Sequence, residues 1–366
     1  MRRLAFLMVL LAGILSACAP KHKVTGNLSD VQSGWLLCVY TSDGESGAMG
    51  IDTVYVENGK FFYDPSVDEP GVLMIVEQNR FIDNIVLFMA PGEHAVLNGS
   101  LDDYEVSGSA FYKDWGKFHN MIEDNENARK DLLRTIPEEE DPDYDMAEFS
   151  RKDRENKDQW EEVAISFIQA NPGSDVSAYL AHELNKVEDF AVADQVISDK
   201  VKKGPLGYLI EKKADYFDGE ALRQESMKTI YEGAQAPDFT LKTSTGETFT
   251  LSDYRGRYVM LDFWGTWCHW CVEGLPTVKE IAHTYKDKLT VVSVDTRDSQ
   301  KAWRDGIEKY GMDWVQVYNS SSDAIDSKYA VQGFPGFYLI DPEGVIKMIA
   351  FGEPAHFVEK IGELIK

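Results

Sequence analysis

Tyr258-Val259-Met260-Leu261-Asp262-Phe263-Trp264 is an apolar run broken by a single acid, and just beyond it stands Cys268-His269-Trp270-Cys271. A continuous apolar run of this length reads as a strand buried on both faces. After the cysteines, Val272, Leu275, Val278, Ile281, Ala282 and Tyr285 recur at helical spacing. Cys268 therefore falls at or just before a helix N terminus, where unpaired N–H groups and the helix dipole favour negative charge. A thiol held there loses its proton more easily, and the thiolate is the nucleophile. Cys271 follows about one helical turn later, within reach of the same sulfur.

Zinc sites also use this spacing, but they require a second pair of ligands. The other cysteines, Cys18 and Cys38, form no second pair, and His269 lies between the two thiols. A bridge closing so short a loop restricts the unfolded chain little, so a purely structural disulfide is a poor reading. Redox chemistry is the expectation, with no metal.

The length of 366 residues suggests two or three domains, and a net charge of −25 argues against nucleic acid as a partner. Arg2 and Arg3 precede an apolar run from Leu4 to Leu15, followed by Ser16-Ala17-Cys18. This is the pattern of a secretory signal, too short for a comfortable membrane span; a short anchor helix is the alternative. Leu15-Ser16-Ala17-Cys18 resembles the bacterial lipoprotein signal. That resemblance implies a signal peptide over 1–17, cleavage before Cys18, lipidation of Cys18 and a tether over 18–23. Several acyl chains would hold the protein on a membrane, in the cell envelope and facing the periplasm, where disulfide chemistry has substrates. Cys38, within Trp35-Leu36-Leu37-Cys38-Val39-Tyr40, reads as a small hydrophobe in a strand.

Residues 24–109 read as all-β, with an Asn58-Gly59 hairpin turn, and a small sandwich is expected. They resemble the β-rich domain of unknown function that precedes thioredoxin-like domains in many bacterial lipoproteins. Residues 110–232 read as a helical linker region, with Phe111, Trp115, Phe118, Met121 and Ile122 at helical spacing. The acidic run Glu138–Asp143 inside it reads as a solvated loop, since EF-hand ligand spacing is absent. From 233 to 366 strands alternate with helices, predicting a central sheet covered on both sides.

This last segment resembles the thioredoxin fold, specifically the membrane-tethered thiol-disulfide oxidoreductases related to TlpA and ResA. The resemblance rests on Ala236-Pro237-Asp238-Phe239, Phe263-Trp264-Gly265-Thr266-Trp267-Cys268, Cys271 with Pro276, and Gly333-Phe334-Pro335. It implies a cis bond before Pro335, with exposed backbone at Phe334 pairing with an extended substrate peptide beside Trp267. It implies no metal or organic cofactor. Asp262, an acid inside a buried strand, must be neutral or paired, and burial raises its pKa. Six residues before Cys268, it holds the place of thioredoxin's buried aspartate and is the expected proton acceptor for Cys271. An acid that reaches solvent at a strand end is the alternative. His269 and Trp270, between the thiols, are candidates for tuning the redox potential or shaping access. Two positions depart from the family: Gly274 stands where many relatives have glutamate, and Gly336 where threonine often follows the proline.

The implied activity is dithiol–disulfide exchange on protein thiols and disulfides, with net reduction favoured and an upstream thiol electron donor required. Thiol oxidation or isomerisation is the leading alternative. A peroxidase would need serine or threonine where Gly265 stands, and a redox-inactive binding lipoprotein would leave the cysteine pair without a purpose.

Overall fold

The protein is seen in a computed structural model that describes residues 23–42, 49–64, 70–77, 82, 84–90, 92–137, 141, 144–352 and 355–365. The signal peptide and Cys18 lie outside these residues, as does the acidic run 138–143 apart from Asp141.

Eight strands open the fold: β1 (Lys23–Leu28), β2 (Ser33–Ser42), β3 (Met49–Glu57), β4 (Lys60–Tyr63), β5 (Gly71–Glu77), β6 (Asn84–Met89), β7 (His94–Gly99) and β8 (Tyr104–Gly108). Asn58 and Gly59 both take positive φ, 52° and 78°, which lets the β3–β4 turn match the twist of its strands. The strands form one hydrogen-bonded sheet in the order β6-β5-β2-β3-β4-β1-β7-β8, not the two stacked sheets of the expected sandwich. The cause is β1, which lies antiparallel to β4 and parallel to β7 and so joins what would otherwise be two sheets. A hydrogen bond from Val86 N–H on β6 to the Tyr104 hydroxyl on β8, 3.3 Å, brings the two edge strands together, so the sheet curls around its core.

Six helices follow: α1 (Ala110–Leu133), α2 (Met146–Ala170), α3 (Asp175–Glu183), α4 (Val187–Val196), α5 (Asp199–Lys202) and α6 (Gly207–Ser226). Ser and Asp caps start several of them; Asp145 accepts the N–H groups of Ala147 and Glu148 at the head of α2. Instead of forming a separate linker, these helices share one hydrophobic core with the sheet. The buried stripe Phe111, Trp115, Phe118 and Ile122 needs cover; Phe88 of β6, for example, meets the Phe111 ring with centroids 6.0 Å apart.

The C-terminal part holds β9 (Thr240–Lys242), β10 (Thr248–Thr250), β11 (Tyr258–Trp264), α7 (His269–Thr284), β12 (Leu289–Thr296), α8 (Gln300–Tyr310), β13 (Val315–Asn319), α9 (Ile325–Lys328), β14 (Gly336–Ile340), β15 (Ile346–Phe351) and α10 (Ala355–Leu364). Its five-stranded sheet runs β13-β12-β11-β14-β15; β11, β12 and β13 are parallel, and β14 and β15 return antiparallel. Central β11 is covered on both sides. Val259, Leu261 and Phe263 face a core with Phe239, Phe249 and Tyr329, whereas Met260 and Trp264 face the side carrying α7. Helix α6 packs against α9, and Arg223 of α6 donates to the Val331 carbonyl at 3.3 Å, so the helical segment braces this part.

Gly26 tests the keystone strand. It pairs with Phe61, and a Cβ there would fall 1.9 Å from the Phe61 ring. Gly26→Val is expected to destabilise the β-rich part by about 1–3 kcal/mol, as overpacking does, measured by denaturant titration against wild type.

Candidate active site

Trp264 ends β11, and the chain turns through Gly265, Thr266 and Trp267 into α7. Cys268 is the N-cap of α7, with extended φ and ψ of −89° and 100°, and its sulfur accepts the Cys271 N–H at 3.1 Å. The two sulfurs are bonded to each other, with Cα atoms 5.2 Å apart. Helical spacing places Cys271, Gly274, Leu275, Val278 and Ile281 on the buried face of α7. Cys268 sits at the rim, 6% exposed, and Cys271 lies beneath it at 3%. A reduced Cys268 would keep the Cys271 N–H and the helix dipole, both of which favour thiolate.

Around the sulfurs the surface is aromatic. Trp267 and Trp270 are 46% and 61% exposed. Trp267 donates its indole N–H to the Thr296 carbonyl at 2.8 Å and meets the Phe334 ring edge-on at 5.2 Å. The Phe334–Pro335 peptide bond is cis. His269 is exposed on the outer face of α7, where its Nε2 lies 3.3 Å from Glu273. Glu273 thus engages His269, and Gly274, where relatives carry an acid, is buried without a side chain. At Gly336 a Cβ would lie 3.1 Å from the Gly333 carbonyl and 3.3 Å from Val331, so the space of a larger residue is already filled by the protein's own atoms.

Asp262 does not reach solvent; it is 1% exposed. The alternation of β11 puts it between Met260 and Trp264, on the face that packs under α7. The Ser293 hydroxyl donates to its Oδ2 at 2.7 Å, and the Trp314 indole donates to the Ser293 oxygen at 2.8 Å. Burial pushes the Asp262 carboxyl up to about 7, and the Ser293 hydrogen bond holds it partly back.

Several supporting residues carry no local signal in the sequence. Asp298 accepts both the N–H and the hydroxyl of Thr266, each at 2.7 Å, and so pins the turn before Cys268. Asp295, on β12 opposite Trp264, is fully buried; desolvation and the nearby Asp298 carboxylate push it up to about 10, so it is neutral near pH 7. Arg297 lies over the rings of both Trp267 and Phe334, 5.5 and 5.2 Å from their centroids. Ser293, Trp314, Asp298 and Arg297 become recognisable only once the strands and loops are brought together. Among the described residues no cluster of three or more His, Cys, Asp or Glu side chains is arranged to hold a metal, and no helix is long and apolar enough to cross a membrane.

A buried parallel strand feeding a helix capped by one cysteine of a bonded pair, with a cis-proline loop opposite, defines a thioredoxin-like disulfide exchange domain. Residues 233–349 match the AhpC/TSA family, and residues 22–115 match a domain of unknown function, DUF4369. Thioredoxin-like protein YneN of Bacillus subtilis is 34% identical over 160 residues, 42% of this chain and 91% of its own length. Thiol-disulfide oxidoreductase ResA of the same organism is 32% identical over 126 residues, 34% of this chain and 70% of its own. The thioredoxin domain of a thiol-disulfide oxidoreductase from Bacteroides vulgatus has 28% identity, covers 37% of this chain and 99% of its own, and superposes with a TM-score of 0.36. The chain belongs to the thioredoxin-like thiol-disulfide oxidoreductases.

Because the folded Asp262 titrates well above its ordinary 3.8, the fold prefers its neutral form. The associated stability is full below pH 3.8 and is lost as pH rises through about 7, where the folded-state carboxyl is half ionised. Asp262→Asn should therefore gain on wild type across that interval, by on the order of 4 kcal/mol at most. Urea titrations at several pH values measure it. Ser293→Ala, which removes the donor to the carboxylate, should move the Asp262 titration further upward, read from the same pH series.

Proposed function

We propose that this protein is a lipid-anchored, extracytoplasmic reductase of protein disulfides that works through the Cys268–Cys271 dithiol. The observation that carries the reading is the capped helix: Cys268 accepts the Cys271 N–H at the N terminus of α7, and Cys271 lies one turn deeper, packed with Trp264, which shares a face of β11 with Asp262. In the reduced enzyme the Cys268 thiolate attacks one sulfur of a substrate disulfide. The substrate S–S bond breaks, a mixed disulfide forms, and the released substrate sulfur takes up a proton. Cys271 then gives its proton toward Asp262, and its thiolate attacks the Cys268 sulfur. The mixed disulfide breaks, the second substrate thiolate departs, and the Cys268–Cys271 bond closes. Two electrons have passed from enzyme to substrate, and an upstream thiol donor must return them. Phe334 and Pro335, with Trp267, would present the edge along which an extended peptide lies.

Asp262 suits this task because a proton acceptor works best with a pKa near the operating pH. It accepts only when ionised, so closing of the mixed disulfide should accelerate as pH rises through about 7. The tether is supported by Arg2, Arg3, the apolar stretch and the Leu15–Cys18 motif. His269, exposed beside Glu273, would tune access and potential from outside the sulfurs.

Cys271→Ala, expressed in the native host, should accumulate substrates covalently held on Cys268, identified by mass spectrometry after non-reducing electrophoresis. Cys268→Ser should hold none and should fail to reduce insulin. Asp262→Asn should slow closing of the mixed disulfide by about 100-fold, the ordinary scale of general-base assistance, and flatten its pH profile in stopped-flow fluorescence. A reduction potential near the oxidising extreme, about −120 mV in glutathione buffers, would count against net reduction and favour thiol oxidation. Cys18→Ala should move the protein from the membrane fraction to the soluble one and abolish labelling by a fatty-acid probe.

A further inference from the structure

We infer that Arg297 forms a carboxylate-binding subsite at the rim of the disulfide, so that the enzyme prefers substrates with an acidic residue next to the reacting cysteine. This rests on the dithiol reading above and names the substrate class of the same site.

Arg297 follows β12, in the short connection to α8. Its φ is 66°, in the left-handed region that favours glycine, so the backbone there is held by its surroundings and not by preference. The restraints are visible on both sides. The Thr296 carbonyl accepts the Trp267 indole N–H at 2.8 Å, Asp298 accepts two hydrogen bonds from Thr266, and the Tyr318 hydroxyl donates to the Asp298 carbonyl at 2.9 Å. Arg297 is thereby presented outward over the gap between Trp267, which precedes Cys268, and Phe334, which precedes Pro335. Both sides of the cleft that receives a substrate disulfide touch this one side chain.

The guanidinium is exposed, and among the described residues it forms no ion pair. The guanidinium carbon lies within cation–π range of both rings, which confine the side chain to the rim of the disulfide. A flat cation whose N–H groups make no ion pair among the described residues matches the geometry of a carboxylate. The aromatic walls would partly exclude water from the pair and strengthen it beyond an ordinary surface ion pair. The strong negative charge elsewhere would repel an acidic segment at a distance, so the preference should be local to the residue beside the cysteine.

The test uses the complete protein in its reduced form and three peptide disulfides. Each is the symmetric dimer of a blocked tetrapeptide with one cysteine, followed by Glu, Gln or Lys. Second-order rates of enzyme oxidation are measured by stopped-flow tryptophan fluorescence. Each is divided by the rate of the same peptide with dithiothreitol, which removes the intrinsic reactivity of the disulfide. Wild type should favour Glu over Gln by about fivefold and disfavour Lys, the range expected of one partly shielded charge pair. Arg297→Gln should bring the Glu/Gln ratio to one or below, and Arg297→Lys should keep part of it. Raising the salt to 1 M should shrink the wild-type ratio and leave that of Arg297→Gln little changed. Equal ratios in wild type and Arg297→Gln overturn the subsite, as does a wild-type preference for Lys. A reduced protein that is oxidised by none of the peptides overturns the dithiol reading itself, and the subsite with it.

Discussion

The chemistry proposed for this protein depends on the hydrogen bond between the Cys271 N–H and the Cys268 sulfur at the first turn of α7. It exists because β11 is buried on both faces and ends at Trp264, which obliges the chain to turn within a few residues and begin a helix. The cap residue of that helix is a cysteine where serine or aspartate would ordinarily stand. A sulfur that serves as a helix cap is stabilised in its charged form by the same groups that stabilise the helix. Fold and reactivity share one set of atoms. The supporting contacts protect this arrangement: Asp298 fastens Thr266, Thr296 fastens Trp267, and Leu275 and Trp264 pack beneath the sulfurs.

On the same face of β11 as Trp264, which packs with both cysteines, lies a buried acid. Asp262 is expensive to bury, and the hydroxyl of Ser293 and the indole of Trp314 offset that cost only in part. The remaining imbalance leaves the carboxyl with a titration point near neutrality. The hydrogen-bonded chain from Trp314 through Ser293 to Asp262 crosses from the loop before β13 to β12 and β11, so the acid is held by three segments of the fold.

Much of this was legible in the residues themselves. The β11 run, the helical spacing after Cys268 and the Asn58-Gly59 turn are local patterns, and local patterns survive without knowledge of the partner strand. Non-local pairing was not legible. Nothing in Lys23–Leu28 says that it will sit between β4 and β7 with one neighbour parallel, and so a sandwich was expected where one curled sheet forms. The short strands β8 and β13 carry little local signal because their apolar residues are few; Gln316 of β13 is buried although polar. The helices 110–226 read as a separate unit because periodicity reveals an apolar stripe and not the surface that covers it. At the site, the cysteines and Asp262 are legible from spacing and from the apolar run around the acid, whereas Pro335 is legible only through the family resemblance. Arg297 and Asp298 did not, because their significance lies in the rings and the turn they touch across the loop.

Strand β1 has a mechanical consequence. In the anchored protein proposed above, any drag on the domains is transmitted through the few residues between Cys18 and Lys23 into this strand. Hydrogen-bonded along both edges, β1 would meet an axial load with two ladders strained in parallel, four pairs on the β4 side and six on the β7 side. Such a strand shears as a unit instead of peeling open one rung at a time, so the leash is fastened to one of the toughest grips the fold can offer.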